Sequence, residues 1–107
     1  MPPESGRSGG SFVTFAAGGE WFALPVEAVR GILRLGELAR VPDAPEGLAG
    51  IINVRNRLVP VADLGRRLGL SPTRPGQSSR VILCAADPRD TSLVGFLADS
   101  VKEVVSL

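Results

Sequence analysis

The stretch Gly50-Ile51-Ile52-Asn53-Val54-Arg55-Asn56-Arg57-Leu58-Val59-Pro60-Val61-Ala62-Asp63-Leu64 decides how the chain is read. Leu48 to Asn53 and Leu58 to Val61 read as strands on either side of a polar break at Arg55-Asn56. Asn tolerates the left-handed backbone that a two-residue hairpin loop requires, so the spacing predicts a β-hairpin. Pro60 cannot donate to a central ladder and is expected on an edge strand or at a bulge. Asp63 is placed to cap a short helix through Leu68, ended by Gly69.

Upstream, Phe12 to Ala16 and Trp21 to Leu24 read as a second hairpin around Gly18-Gly19, whose turn geometry accounts for both glycines. Pro25 can open a helix, and Val26, Val29 and Leu33 follow at helical spacing until Gly31 shortens it. Residues 41–47 form a turn-rich connector. Downstream, Ser71 to Ser79 reads as an exposed loop and Arg80 to Ala86 as a buried strand. Asp87-Pro88-Arg89-Asp90 has the pattern of a type I turn, returning the chain as Leu93 to Ala98. Residues 99–107 fit a strand or a helix. Three hairpins, two short helices and no sustained βαβ alternation predict a mainly β (β-rich α+β) domain of barrel-like form.

The chain has 107 residues, enough for one domain with a modest core. Residues 1–11, rich in Pro, Gly and Ser, read as a disordered tail, and 12–107 as the domain. Hydrophobic residues make up 44% and charged residues 21%, a soluble globular balance. The formal charge of +1 gives no general drive toward nucleic acid or anionic membrane. The tail has no apolar stretch of a signal peptide, and no run approaches the roughly 18 apolar residues of a membrane span. A single cysteine, Cys84, excludes an intrachain disulfide and suits a reducing cytoplasm.

Catalytic chemistry has no visible apparatus. Histidine is absent, which removes the commonest general base and the commonest zinc ligand. The carboxylates Asp43, Asp63, Asp87, Asp90 and Asp99 fall in turns or at element ends, where they usually cap or initiate turns. No glycine-rich phosphate loop occurs. Cys84 sits within Val81-Ile82-Leu83-Cys84-Ala85 and reads as a buried, inert thiol. The expectation is a non-enzyme with no catalytic, metal or cofactor site.

Arginine is the one charge feature. Arg55, Arg57, Arg66, Arg67, Arg74 and Arg80 crowd residues 53–80, opposed there by Asp63. No aromatic residue lies among them for bases to stack on, so an acidic protein surface is a better expected partner than nucleic acid. Arg55 stands at a hairpin tip, where a planar fork of donors suits bidentate pairing with a carboxylate.

Around this hairpin the sequence resembles the CheW-like domain of bacterial chemotaxis proteins. The likeness runs in order through Leu24-Pro25-Val26, Val29 and Ile32-Leu33, then Val41-Pro42 and Ala44-Pro45. It continues through Gly50 to Arg55, Val59-Pro60-Val61 and Asp63-Leu64, and ends with Val94 to Asp99, Val101 and Glu103-Val104. The resemblance implies a pair of small SH3-like β-barrels with short helices, here abbreviated at the C-terminal end. It also implies an adaptor between the cytoplasmic tip of a chemoreceptor and a CheA-type histidine kinase or another CheW-like protein. Such an adaptor is cytoplasmic and clusters with receptor arrays, without inserting into the membrane.

Carried residue by residue, the implied partner groove involves Val29, Gly95, Val101 and Val104, with Arg55 close by. Gly95 within a strand suggests another backbone passing close to it. Two positions depart from the family pattern. Gly31 stands where an acidic residue is usual, which frees Arg55, and Asn56 stands where Gly usually follows the motif Arg. Family members continue for several tens of residues, so open sheet edges are expected to be covered by a partner or paired in a dimer, with kinase coupling reduced. A regulatory fragment of a larger CheA-type kinase is the alternative.

Overall fold

Gly18 and Gly19 adopt φ of 63° and 86°, and the turn they make joins β1 (Ser11–Ala17) to β2 (Glu20–Pro25). This hairpin opens a computed structural model that describes residues 10–71, 76–87, 89 and 91–106. Of the expected tail, residues 1–9 lie outside the described residues, and Ser11 already belongs to β1.

The helix expected after Pro25 does not form. Val26–Ala28 makes a single 3₁₀ turn, and the chain then extends as β3 (Val29–Arg34). Val29 and Leu33 stand at helical spacing, but in the strand a bulge between Val29 and Gly31 sends them to opposite faces. Sheet pairing decides the matter: β3 lies antiparallel to β6 (Arg80–Ala85).

The central stretch folds as its residues demand. β4 (Leu48–Val54) and β5 (Arg57–Asp63) pair around Arg55 and Asn56, whose φ of 52° and 65° are those of a type I′ turn. Pro60, however, sits on neither an edge strand nor a bulge, because β5 lies between β4 and β7 (Leu93–Ala98). The parallel pairing with β7 starts at Val61, one residue past the proline, so β7 asks no hydrogen bond of it. Asp63 then caps α1 (Leu64–Arg67), its Oδ1 accepting the Arg66 N–H at 3.3 Å. Gly69 turns the chain at φ 77°.

The strands form two sheets, ordered β2-β1-β8 and β3-β6-β7-β5-β4, with β8 spanning Ser100–Ser106. The mainly β reading holds. The larger sheet closes on itself, because Ala39, just beyond β3, exchanges backbone hydrogen bonds of 2.9 and 2.8 Å with Ile51 of β4. The smaller sheet stays a three-stranded layer, and the outer edges of β2 and β8 have no strand partner among the described residues. Of residues 99–107, open between strand and helix in the sequence, Ser100–Ser106 extends as β8 against β1, and Leu107 lies outside the described residues.

Strand β6 explains why Val81-Ile82-Leu83-Cys84 is apolar throughout. Val81 and Leu83 face the barrel interior with Ile52, Val59, Val61 and Leu97. Ile82 and Cys84 face the other way, into a cluster with Phe15 and Ala17 of β1 and Ala98 of β7. Each large side chain so buried stabilises the fold by roughly 1.5–3 kcal/mol relative to exposure. One strand therefore serves both cores.

Asp99 stitches the two sheets where β7 ends and β8 begins. Its N–H donates to the Ala16 carbonyl at 2.7 Å, and its Oδ2 accepts the Gly18 N–H at 3.1 Å. Ser78 Oγ donates to its carbonyl at 3.0 Å. The loop expected from Ser71 to Ser79 lies partly outside the described residues, at 72–75, and its end is not exposed. Ser79 is buried, and its Oγ accepts the Gly76 N–H at 2.9 Å. In the expected type I turn, Pro88 and Asp90 lie outside the described residues, while Asp87 Oδ1 accepts the Arg89 N–H at 2.9 Å.

Candidate functional site

Two surfaces carry all but one of the partner-binding residues singled out by the sequence. The first is the seam between the sheets. Its buried floor is Phe15, Ala17, Ile82, Cys84 and Ala98. Phe15 stacks on Phe22, with ring centroids 5.6 Å apart and planes at 24°. Val29 reaches this floor from β3 and Val101 from β8, each half-buried. Val104 stands farther along β8, opposite buried Val13, and is 61% exposed. The structure thus brings Val29 and Val101 onto one apolar cluster and leaves Val104 open to solvent beside it.

A β-bulge makes this placement possible. The pairing of β3 with β6 slips between Val29 and Gly31, so Val29 pairs with Cys84 and Gly31 with Leu83. An extra residue on one strand re-aims the side chains around it. Val29 therefore faces the seam with Cys84, while Gly31 and Leu33 line the barrel side with Leu83 and Val81. Arg30 is the residue in the slip.

The second surface is the mouth of the barrel. A depression of about 490 Å³ opens there, floored by Gly31, Leu33 and Leu83 and rimmed by Arg30, Arg55 and Arg57. Arg57 Nη2 donates to the Thr91 carbonyl at 2.7 Å. Arg30 Nη1 donates to the carbonyls of Glu27 and Val29. Arg55 is exposed at the hairpin tip, whose turn is braced by the Asn56 N–H on Asn53 Oδ1 at 2.9 Å. The ion pair found among the described residues is Arg89 with Asp87, so none of the three rim arginines has a carboxylate there.

Gly95 lies on neither surface. It is buried inside the barrel, where a Cβ would stand 2.8 Å from Val81 Cγ1 and 3.2 Å from Val61 Cγ2. Side chains, rather than a passing backbone, require the glycine. Arg55 belongs to the mouth and not to the seam floor, so the expected groove set divides among the seam, the mouth and, for Gly95, the barrel interior.

Sequence reasoning missed Arg30 as a neighbour of Arg55, and it named Arg57 in the arginine-rich stretch without placing the two on one surface. Arg57 carried a signal, two residues on across a type I′ turn, whereas Arg30 arrives from a distant strand through its bulge. It also missed Trp21, which is 58% exposed on the outer face of the smaller sheet with Lys102 Nζ 5.7 Å from its ring centroid. Strict alternation in β2, with half-buried Phe22 and Leu24 facing inward, was the available clue.

Burial pushes the Cys84 thiol up from its ordinary pKa, and the nearby Arg30 charge pulls it partly back. The described residues contain no group of three His, Cys, Asp or Glu placed to hold a metal. No helix among them is long and apolar enough to cross a membrane.

A family model described as CheW-like domain matches residues 11–107. Among curated relatives, the probable chemotaxis protein CheW of Rhizobium etli is 30% identical over 95 residues, covering 89% of this chain and 59% of its own length. The chemotaxis protein CheW of Bacillus subtilis is 30% identical over 101 residues, covering 94% of this chain and 63% of its own length. The chain thus spans about three fifths of these relatives. Among solved structures, the scaffolding protein TtCheW from Thermoanaerobacter tengcongensis superposes with a TM-score of 0.83 at 25% identity. That match covers the whole of this chain and 68% of the other.

Proposed function

The chain belongs to the CheW-like domain family, and on that premise we propose that it is a non-enzymatic chemosensory adaptor. It links the cytoplasmic tip of a chemoreceptor to a CheA-type histidine kinase or another CheW-like protein, in the cytoplasm where receptor arrays cluster. The observation that carries this reading is the apolar seam, on which Val29 and Val101 meet beside solvent-facing Val104. Helical segments seat their apolar faces in such troughs, burial supplying affinity and rim charges setting register. Val29, Val101 and Val104 are the proposed contacts, and Arg55 the register-setting charge. Gly95 contributes from within by letting β7 close against Val61 and Val81. The free edges of the smaller sheet are the proposed route to a dimer or to edge pairing with a partner.

Capture of the purified chain by a receptor cytoplasmic fragment, and separately by a CheA-type kinase, tests the reading. Val104→Asp is the discriminating variant, because Val104 is exposed whereas Val101 is packed into the cluster and an Asp there also costs stability. Val104→Asp is expected to lose receptor capture with an unchanged circular dichroism spectrum. Capture at the wild-type level would overturn the seam as the contact.

A further inference from the structure

We propose that the outer face of the smaller sheet, on the side away from the seam, docks an amphipathic helix of a partner protein that carries a carboxylate beside its apolar residues. Alternation fixes what this face presents. Val13, Phe15 and Ala17 of β1 are buried, and Phe22 and Leu24 of β2 pack inward with them. Their neighbours Phe12, Ala16, Trp21, Ala23 and Pro25 therefore point outward, and Val105 of β8 pairs with Phe12. The solvated face of an antiparallel sheet is normally polar, so an outer face of this composition calls for a cover.

Its shape suits a helix. A hollow of about 520 Å³ lies over Thr14 and Ala23, walled by Trp21 and Lys102. The walls stand on the two outer strands of the sheet, and Thr14 lies between them on central β1. Two strand spacings separate β2 from β8, roughly 10 Å, which matches the diameter of a helix and is twice what one extended strand fills. A helix laid along β1 rests on both walls.

A β-bulge supplies the charge. Pairing of β1 with β8 slips between Thr14 and Phe15, whose partners are Glu103 and Val101, and Lys102 is the residue in the slip. Val101 turns to the seam cluster, whereas the Lys102 ammonium crosses the outer face to within 5.7 Å of the Trp21 ring centroid. Lys102 is the sole lysine of the chain, and among the described residues lining the hollow it alone is charged. A cation over an exposed indole is held weakly on a flexible stem. The ammonium can swing off the ring to meet a carboxylate and leave the indole to the partner's aliphatic side chains. A positive charge beside an apolar trough selects an acidic amphipathic helix over a basic one. A single lysine gives nucleic acid little to hold, although a base could stack on Trp21.

Trp21 is the only tryptophan, so its fluorescence reads this face alone. The probe is a synthetic alanine-based helical peptide of about 20 residues, with leucines along one face and glutamates flanking them. A saturable blue shift of Trp21 emission is expected. The peptide with Gln in place of Glu, and the variants Lys102→Gln and Ala23→Glu, should each bind about tenfold more weakly, whereas Lys102→Arg should bind as wild type. Val104→Asp should leave the titration unchanged, because Val104 pairs with inward-facing Val13, so failure of the adaptor reading is distinguishable from failure here. Loss of binding in Val104→Asp overturns the proposal by placing the peptide in the seam. No saturable shift, or equal binding of the Glu and Gln peptides, overturns it as well. So does a blue shift that grows with protein concentration alone, which would make a second copy the cover.

Discussion

Gly18 and Gly65 meet backbone to backbone: a Cβ built on Gly18 would stand 2.8 Å from the Gly65 Cα, and one built on Gly65 3.0 Å from the Gly18 Cα. The contact presses the first hairpin of the smaller sheet onto α1 beside the barrel. Turn geometry alone, the sequence-level account of Gly18, is therefore incomplete.

Gly65→Ala should lower stability by about 1–3 kcal/mol, because its Cβ also meets the Ser71 carbonyl oxygen. Gly19→Ala, with φ of 86° but open space around it, should cost only about 1 kcal/mol of left-handed strain. Urea midpoints of the two variants measure the difference. Equal midpoints would mean the backbone contact yields freely.

Asp99→Ala should destabilise by about 1–2 kcal/mol, since the N–H of buried Gly18 loses its acceptor. Asp99→Asn keeps an oxygen there and should lose less. Thermal unfolding of both variants, read against wild type, checks the ordering.

Cys84 should alkylate slowly with iodoacetamide in the folded chain and rapidly in denaturant, because it is buried and its thiol is held protonated. The sign of the linked stability follows. The folded thiol binds its proton more tightly than the unfolded one, so its contribution is complete at neutral pH. It is lost as pH rises from the unfolded pKa through the folded one. Cys84→Ala should flatten the alkaline fall in stability, and an identical pH profile in the variant would count against it.

The outer edge of β8, which has no strand partner among the described residues, should pair between copies. Sedimentation equilibrium at micromolar concentration is expected to find a dimer for the wild-type chain and a monomer for Val104→Lys, which places a charge beside that edge. A wild-type monomer under these conditions would remove edge pairing from the account.

Local chemistry made the hairpins legible. Gly18-Gly19 and Arg55-Asn56 carry the backbone their turns need, and Asp63 and Gly69 bracket α1 as their residue types require. Elements decided by distant partners were not legible. Val29 and Leu33 stand at helical spacing, and only pairing with β6 makes the segment a strand whose bulge sends the two to opposite cores. Ser100 to Ser106 became a strand because β1 was there to receive it. Pro60 could enter an inner strand because its second neighbour begins one residue later. The seam valines were carried by family resemblance, whereas the arginine mouth depends on a bulge and on strands far apart in the chain.

Ser11 and Ser106, with their hydroxyls 3.1 Å apart, join residues separated by nearly the whole chain. Every hairpin can zip from its own turn, but this seal must wait until the intervening chain is compact, since ring closure over such a span is entropically the dearest step. Folding should thus run from the barrel outward, with the β1–β8 ladder last to form and first to exchange its amide hydrogens. A domain built this way keeps its central body intact while its outermost ladder breathes.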